Sequence, residues 1–335
     1  MKSLFKNSSV LITGGTGSFG EKAVHYILKT LKPKRLIIFS RDEFKQFNME
    51  NRISERLKKQ VRFFIGDVRD RERLTRAMKN VQYVIHAAAM KHVNASEYNP
   101  IEAIKTNIIG AENIINASLD CGVKKVIALS TDKAANPSNL YGATKLCSDK
   151  LFIAANNIAG GEITKFSVVR YGNVLGSRGS VVEVFKEIVE SNKSFIPITH
   201  PKMTRFWITL QQGIEFVLSS FSDMSGGEIF VPKIPSMNVI ELAKCIAPNL
   251  KHKIVGVRAG EKLHEVMITK EDAMSTVEFD DRYIVLPNNV LKYKDREYNF
   301  RNKKGKKVND GFEYTSDTNN MWLNSKELIR MLKEN

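Results

Sequence analysis

Residues 10–28 constrain the fold of this chain more than any other stretch. Val10-Leu11-Ile12, a short buried-strand run, passes directly into Thr13-Gly14-Gly15-Thr16-Gly17-Ser18-Phe19-Gly20, and then into helical spacing at Ala23, Val24, Ile27 and Leu28. The order is strand, glycine turn, helix. Gly14, Gly17 and Gly20 allow a tight turn. They let the backbone N–H groups of Thr16, Gly17, Ser18 and Phe19 approach a pyrophosphate at the helix N-terminus.

Further strand candidates follow at regular intervals: Arg35–Phe39, Arg62–Ile65, Tyr83–His86, Val126–Ser130 and Phe166–Arg170, after the first at Val10–Thr13. Amphipathic stretches separate them, and such alternation predicts an α/β fold with a Rossmann-like, doubly wound parallel sheet. After Gly172 the pattern is less regular, with Pro197, Pro201, Pro232, Pro235 and Pro248. We therefore expect residues 1–172 to bind a dinucleotide. Residues 173–335 should form mainly a smaller substrate-binding domain, interleaved with the first, with parts of the later segments returning to the sheet. No internal repeat is found.

The second strand candidate ends at Ser40-Arg41-Asp42. The residue there reads the ribose 2′ position, where an acid suits a hydroxyl and an arginine suits a phosphate. Ser40 and Arg41, with Lys45 nearby, favour NADP, while Asp42 leaves NAD open. After the third candidate, Asp67 is placed to accept a hydrogen bond from an adenine amino group or to cap the next helix, and the two roles are compatible. His86-Ala87-Ala88-Ala89 closes the fourth in small residues, as a wall against a flat ring requires.

The fifth candidate ends in Ser130-Thr131-Asp132-Lys133, with Tyr141 and Lys145 following on a predicted helix. Open α/β sheets place their sites at the carboxyl ends of strands. Tyr141 and Lys145, four apart, share a helix face, and an ammonium beside a phenol favours the phenolate. Tyr141 then becomes a usable base. The same spacing also describes a solvated helix face, and Asp132-Lys133 a surface ion pair of little worth. Their position at a strand end favours chemistry.

The 335 residues, 42% hydrophobic, suffice for a large core, with two domains or one domain and an annex. No apolar run approaches the ~20 residues of a membrane span. Met1–Ser9 leads into a short strand that meets glycines, not into a signal peptide. Cys121, Cys147 and Cys245 show no metal-ligand pattern and read as reduced, cytoplasmic residues. The net charge of +16 raises nucleic acid as a partner, but no recognition motif accompanies it. The densest basic run, Arg301–Lys307, reads as a solvated loop or an anion-attracting surface. A positive field also suits an anionic cofactor and substrate, so neither nucleic acid nor membrane is required.

These features together resemble the extended short-chain dehydrogenase/reductase superfamily: the glycine turn, Gly66-Asp67-Val68, His86-Ala87-Ala88-Ala89, Thr131, Tyr141-x-x-x-Lys145 and Arg170-Tyr171-Gly172-Asn173-Val174. Within it, Thr131-Asp132-Lys133-Ala134 is similar to the pattern of soluble 4,6-dehydratases that act on UDP-N-acetylglucosamine and invert C5. Ala89-Met90-Lys91-His92-Val93, Arg178-Gly179-Ser180-Val181, Met203–Trp207 and Arg258–His264 resemble the same subfamily. Retaining dehydratases carry Asp-Glu at the Asp132-Lys133 position, and related 4-epimerases lack the dyad. Asn94-Ala95-Ser96 departs from the subfamily where it more often has a proline, and Tyr293–Lys307 is unfamiliar. The resemblance implies the first step of pseudaminic acid synthesis for flagellin and surface glycans, and a homo-oligomer, dimeric or hexameric.

The resemblance also implies roles. Tyr141 takes the C4 hydroxyl proton as hydride passes to the nicotinamide. Lys145 eases the phenolate and holds the ribose, and Thr131 binds the oxygen that becomes the ketone. Lys133 removes the C5 hydrogen if neutral, a state that burial near other cations would encourage. Asp132, protonated, releases the C6 hydroxyl; hydride then returns to C6 and C5 is reprotonated on the opposite face. Cofactor contacts extend to Val68, Ala87 and Lys91. The implied substrate residues are Lys91, Asn173, Arg178, Ser180, Val181, Thr199, Met203, Arg205, Arg258 and Glu261, and the arginines suit a diphosphate through bidentate hydrogen bonds. His86 and His92 read as structural. His25, His200, His252 and His264 lack metal-ligand spacing, so no metal is expected. Other readings stay open: a cofactor-sensing regulator, a basic nucleic-acid-binding protein, a 4-epimerase or a retaining dehydratase.

Overall fold

The computed structural model describes residues 2–160, 164–287, 299–300 and 303–334. Of the run 293–307, residues 293–298 and 301–302 lie outside the described residues. Six parallel strands form first: β1 (Ser9–Thr13), β2 (Arg35–Ser40), β3 (Val61–Ile65), β4 (Tyr83–His86), β5 (Lys125–Thr131) and β6 (Lys165–Tyr171). Each matches its expected segment to within a residue, because short β-branched and apolar runs bounded by turns have few other ways to be buried. Their order in the sheet is β3-β2-β1-β4-β5-β6, so the direction of winding reverses between β1 and β4.

The sheet continues past β6 to Ile229–Pro232, which is parallel to it, then to Arg282–Val285, Thr276–Glu278 and Lys306–Lys307, each antiparallel to its neighbour. The main core therefore draws on both ends of the chain: Leu11, Ile38 and Val126 pack with Phe230, Met267, Tyr283 and Tyr314. A second apolar cluster joins Val182, Phe185, Ile196, Trp207, Met237 and Leu328. It belongs to small sheets formed by Asn173–Val174, Thr204–Ile208 and Ser236–Asn238, and by Phe195–Ile198 with Lys251–Ile254. Among the described residues, no helix is long and apolar enough to cross a membrane.

Candidate active site

The carboxyl ends of β1, β4, β5 and β6 converge on a cleft of about 730 Å³. Gly14 turns the chain out of β1 with φ of 64°, and a Cβ there would stand 2.8 Å from the backbone nitrogen of Ala88. The helix Ser18–Thr30 begins at Gly17, an extended N-cap residue with no side chain to satisfy the first N–H groups. Open N–H groups at a positive helix end suit a phosphate. This cradle fits a dinucleotide. Thr16, Gly17, Ser18, Phe19, Ser40, Arg41, Asp42, Lys45, Asp67, Val68, Ala87 and Lys91 all line the cleft.

At the end of β2 the acid is occupied. Asp42 caps the helix Glu43–Arg52 by accepting from the Lys45 backbone N–H at 2.9 Å, and its carboxylate lies 2.7 Å from Lys45 Nζ. Ser40 is buried, and its hydroxyl accepts from Thr16 Oγ1 and Gln46 Nε2, both at 3.1 Å. Arg41 is exposed and reaches Asp67 at 3.4 Å. Asp67 in turn is gripped by Arg69, whose Nη2 stands 2.7 Å away. The helix-capping role open to Asp67 falls instead to Asp70, which accepts from the Arg73 N–H.

Thr131, Asp132, Lys133, Tyr141 and Lys145 line one wall. Asp132–Ala134 forms a single tight turn after β5, and Tyr141 and Lys145 project from the helix Leu140–Ile158. Gly142 makes their meeting possible, because a Cβ there would sit 2.2 Å from the Lys133 carbonyl oxygen. Thr131 Oγ1 donates to Asp132 Oδ1 at 2.9 Å, and Lys133 Nζ donates to the same oxygen at 3.0 Å. Asp132 Oδ2 is buried without a hydrogen-bond partner. Burial raises the Asp132 carboxyl against the opposing pull of Lys133.

Lys133 differs from expectation. Its ammonium lies 3.0 Å from Asp132 and 3.1 Å from Glu265, a buried residue just before the strand Val266–Ile268. Burial would lower its proton affinity, but the two carboxylates outweigh burial and the neighbouring Arg205, and hold it protonated. Nearby cations do not make the amine neutral.

Tyr141 departs in a similar way. Burial pushes its phenol up to about 12, and the cation that opposes this is Lys133, not Lys145. Lys145 is itself buried and lowered by burial, with Asp149 acting against that. Asp149, four residues on, is held by Ser130 Oγ at 2.7 Å and by Arg170 at 3.5 Å. His86 is buried against Thr13 at 2.8 Å, and burial, followed by Lys145, depresses it to about 3.

The substrate candidates divide. Lys91, Asn173, Arg178 and Ser180 line the cleft. Asn173 Oδ1 and Ser180 Oγ are buried there without hydrogen-bond partners, an arrangement suited to a polar ligand. Arg178 crosses to the glycine turn, donating to the Thr16 carbonyl at 2.6 Å, while Lys91 Nζ donates to the Arg178 carbonyl at 2.7 Å. The other six candidates do not line the cleft. Val181 packs against the second apolar cluster and Met203 lies within it. Thr199 Oγ1 lies 3.0 Å from the Met203 sulfur. Arg205 is buried, and its guanidinium donates to the carbonyls of Thr204, Lys262 and Leu263 while pairing with Glu261 at 3.6 Å. Those carbonyls take the donors that a diphosphate would need. Arg258 is exposed.

Sequence reasoning missed Glu265, Asp149 and Asn107. Asn107 anchors the wall by accepting from the Met90 N–H at 2.8 Å and donating to Thr144 Oγ1 at 2.9 Å. It sits in a one-turn π-helix, Lys105–Ile109. Such turns are frequent at functional sites, but no local sequence signal announces this one. Among the described residues, no three His, Cys, Asp or Glu side chains are grouped as metal ligands would be.

The chain is 56% identical over 331 residues to the UDP-N-acetylglucosamine 4,6-dehydratase (inverting) of Campylobacter jejuni serotype O:2, covering 98% of each. It is 42% identical to a UDP-glucose 4-epimerase of Rickettsia bellii over 84% of this chain and 83% of that protein. The X-ray structure of Pen from Bacillus thuringiensis superposes with a TM-score of 0.89 at 34% identity, covering 98% of both chains. Residues 10–287 match the family described as Polysaccharide biosynthesis protein, and the chain belongs to that family, within the branch of the inverting UDP-N-acetylglucosamine 4,6-dehydratases.

Proposed function

We propose that this protein is an NADP-dependent hydro-lyase that converts UDP-N-acetylglucosamine to UDP-2-acetamido-2,6-dideoxy-β-L-arabino-hex-4-ulose. The observation that carries the reading is the Asp132–Lys133 pair on the cleft wall beside Tyr141. An acid and an amine on one turn are what elimination across C5 and C6 requires, and a 4-epimerase has no use for them. The cofactor fits the cradle between Gly14 and Ser18. Its 2′-phosphate would meet Arg41 and Lys45, since Asp42 is committed to its helix cap. A nicotinamide cofactor held there would supply the hydride acceptor and donor that the C4 oxidation and the C6 reduction need.

The chain's own residues do the rest. Thr131 and Tyr141 hold the C4 oxygen. Tyr141 accepts the hydroxyl proton as its phenolate, a state that burial opposes and the Lys133 charge favours. Lys145, lowered by burial and supported against it by Asp149, would hold the cofactor ribose. Lys133 begins as an ammonium. It becomes the C5 base by passing a proton across the 3.0 Å contact to Asp132, which creates the base and the C6 acid in one exchange. C5 is reprotonated on the opposite face. Asn173, Arg178, Ser180 and Lys91 hold the nucleotide-sugar. Residues 173–335 supply most of the substrate side and residues 1–172 the cofactor side.

We place the reaction in the cytoplasm of a cell making pseudaminic acid for flagellin or surface glycans, and carried out by a homo-oligomer. The test is incubation of the purified protein with UDP-N-acetylglucosamine and no added cofactor, followed by mass spectrometry and NMR. We expect loss of one water and a 4-keto-6-deoxy sugar of L-arabino configuration. A product of unchanged mass, epimeric at C4, would favour the epimerase reading.

A further inference from the structure

Lys133 has two carboxylate partners, and the dehydratase chemistry uses only one. Asp132 shares its turn and lines the cleft; Glu265 does not line the cleft and approaches Nζ from the segment that packs behind the turn. Glu265 is fixed at both ends. Its backbone N–H donates to Ser316 Oγ at 2.9 Å, and its carbonyl accepts from the Ser316 N–H at 2.8 Å. Its carboxylate faces three cations, with Lys133 at 3.1 Å, Arg205 at 3.7 Å and Lys262 at 3.9 Å. Arg205 and Lys262 are largely committed elsewhere, to the carbonyls of Thr204, Leu263 and Lys262 and to the carbonyl of Ala135. The second carboxylate oxygen, Oε2, is buried without a hydrogen-bond partner. A buried carboxylate is costly unless it is paired, and Lys133 is the nearest of its three cations.

We propose that Glu265 is a positioning residue for the Asp132–Lys133 pair, drawing Nζ against the cleft wall and setting the pH range over which the pair exchanges its proton. The proposal rests on the dehydratase reading. The lysine stem is flexible, and its ammonium would otherwise be free to turn into the cleft with Asp132 as its only tether. A second tether from behind fixes the face from which C5 is attacked. The fixed negative charge also favours the protonated forms of both Lys133 and Asp132, whichever one holds the shared proton. Asp132, Glu265, Arg205, Lys262 and Tyr141 face Lys133 from the surrounding elements, and Glu261 balances Arg205 at 3.6 Å. Glu265 is the member of this set whose charge touches Lys133 without touching the cleft.

The test is the pH profile of elimination by Glu265→Gln, a substitution of the same shape that removes the charge, with Glu265→Asp as the charge-retaining control. Removing a negative charge lowers the proton affinity of both neighbours. Both limbs of the Glu265→Gln profile should therefore move to lower pH, by about one to three units. The Glu265→Asp limbs should stay in place even if the maximum falls. Transient reduced nicotinamide in both variants shows that the fold and the C4 oxidation survive. A Glu265→Gln profile that is lowered but unshifted would overturn the proposal, as would an equal shift in Glu265→Asp. Failure of the wild type to eliminate water would instead count against the dehydratase reading.

Discussion

Replacing Lys133 with Met separates elimination from the oxidation that precedes it. The substitution keeps an apolar stem of similar length and removes the ammonium that lies 3.0 Å from Asp132 and 3.1 Å from Glu265. Removing one partner of a buried ion pair costs ~3–5 kcal/mol. Here the loss is smaller, because the Lys133 side chain is 25% exposed and Arg205 and Lys262 remain within 3.9 Å of Glu265. Asp132 can also shed its charge by taking up a proton. We expect a loss of about 1–3 kcal/mol at neutral pH, or roughly 2–4 °C in Tm for each kcal/mol.

The pH dependence has a definite sign. Burial already raises Asp132, and loss of Lys133 raises it further, so the folded variant keeps a proton that the unfolded chain releases above about pH 3.9. That contribution is present below the unfolded value and is lost as pH rises through the folded one. The stability deficit should be full at neutral pH and shrink towards acid. Chemically, Thr131, Tyr141 and Lys145 are untouched, so C4 oxidation should persist, slowed because the Lys133 charge no longer lowers the Tyr141 phenol. Elimination should fall about 10²–10⁴-fold. In deuterated water the wild type should place one solvent deuteron at C5, read by NMR, while the variant accumulates reduced nicotinamide, read by absorbance. An unchanged elimination rate, or a D-xylo product from the wild type under initial-rate conditions, would refute the inverting mechanism. A deficit in Tm that does not shrink in acid would refute the electrostatic account.

Arg41→Ala should weaken retention of NADP about tenfold or more while leaving that of NAD nearly unchanged, as read by the nucleotide released from the purified protein; predominantly NAD in the wild type would contradict the assignment. Asp149→Asn removes the carboxylate that supports the Lys145 charge, and should slow C4 oxidation most at high pH, in single-turnover absorbance measurements; a uniform loss at every pH would point to structural damage alone. His86 is depressed to about 3 by burial and then Lys145, so the folded imidazole stays neutral while the unfolded one takes a proton below about 6.5. Its contribution to stability should be present above that value and lost as pH falls towards 3, and His86→Gln should flatten this part of the Tm profile.

The local parts of this protein were legible in its sequence because local physics decides them. The glycine turn, the six strands to within a residue and the placing of Tyr141 and Lys145 on one helix face follow from backbone sterics and side-chain periodicity over short spans. Thr131, Asp132 and Lys133 were legible for the same reason, since they end the strand that carries them. The charge state of Lys133 was not, because Glu265 arrives from the far end of the chain and no local pattern foretells its carboxylate. Arg205 read as a phosphate ligand, and packing turns its guanidinium onto three backbone carbonyls; Asp42, which left NAD open, also caps the helix that follows it. Sequence order fixed which groups could do chemistry, whereas their proton occupancy and their freedom to meet a ligand depended on neighbours brought together only by folding. Electrostatic and hydrogen-bond energies depend on distance through space, not on separation along the chain.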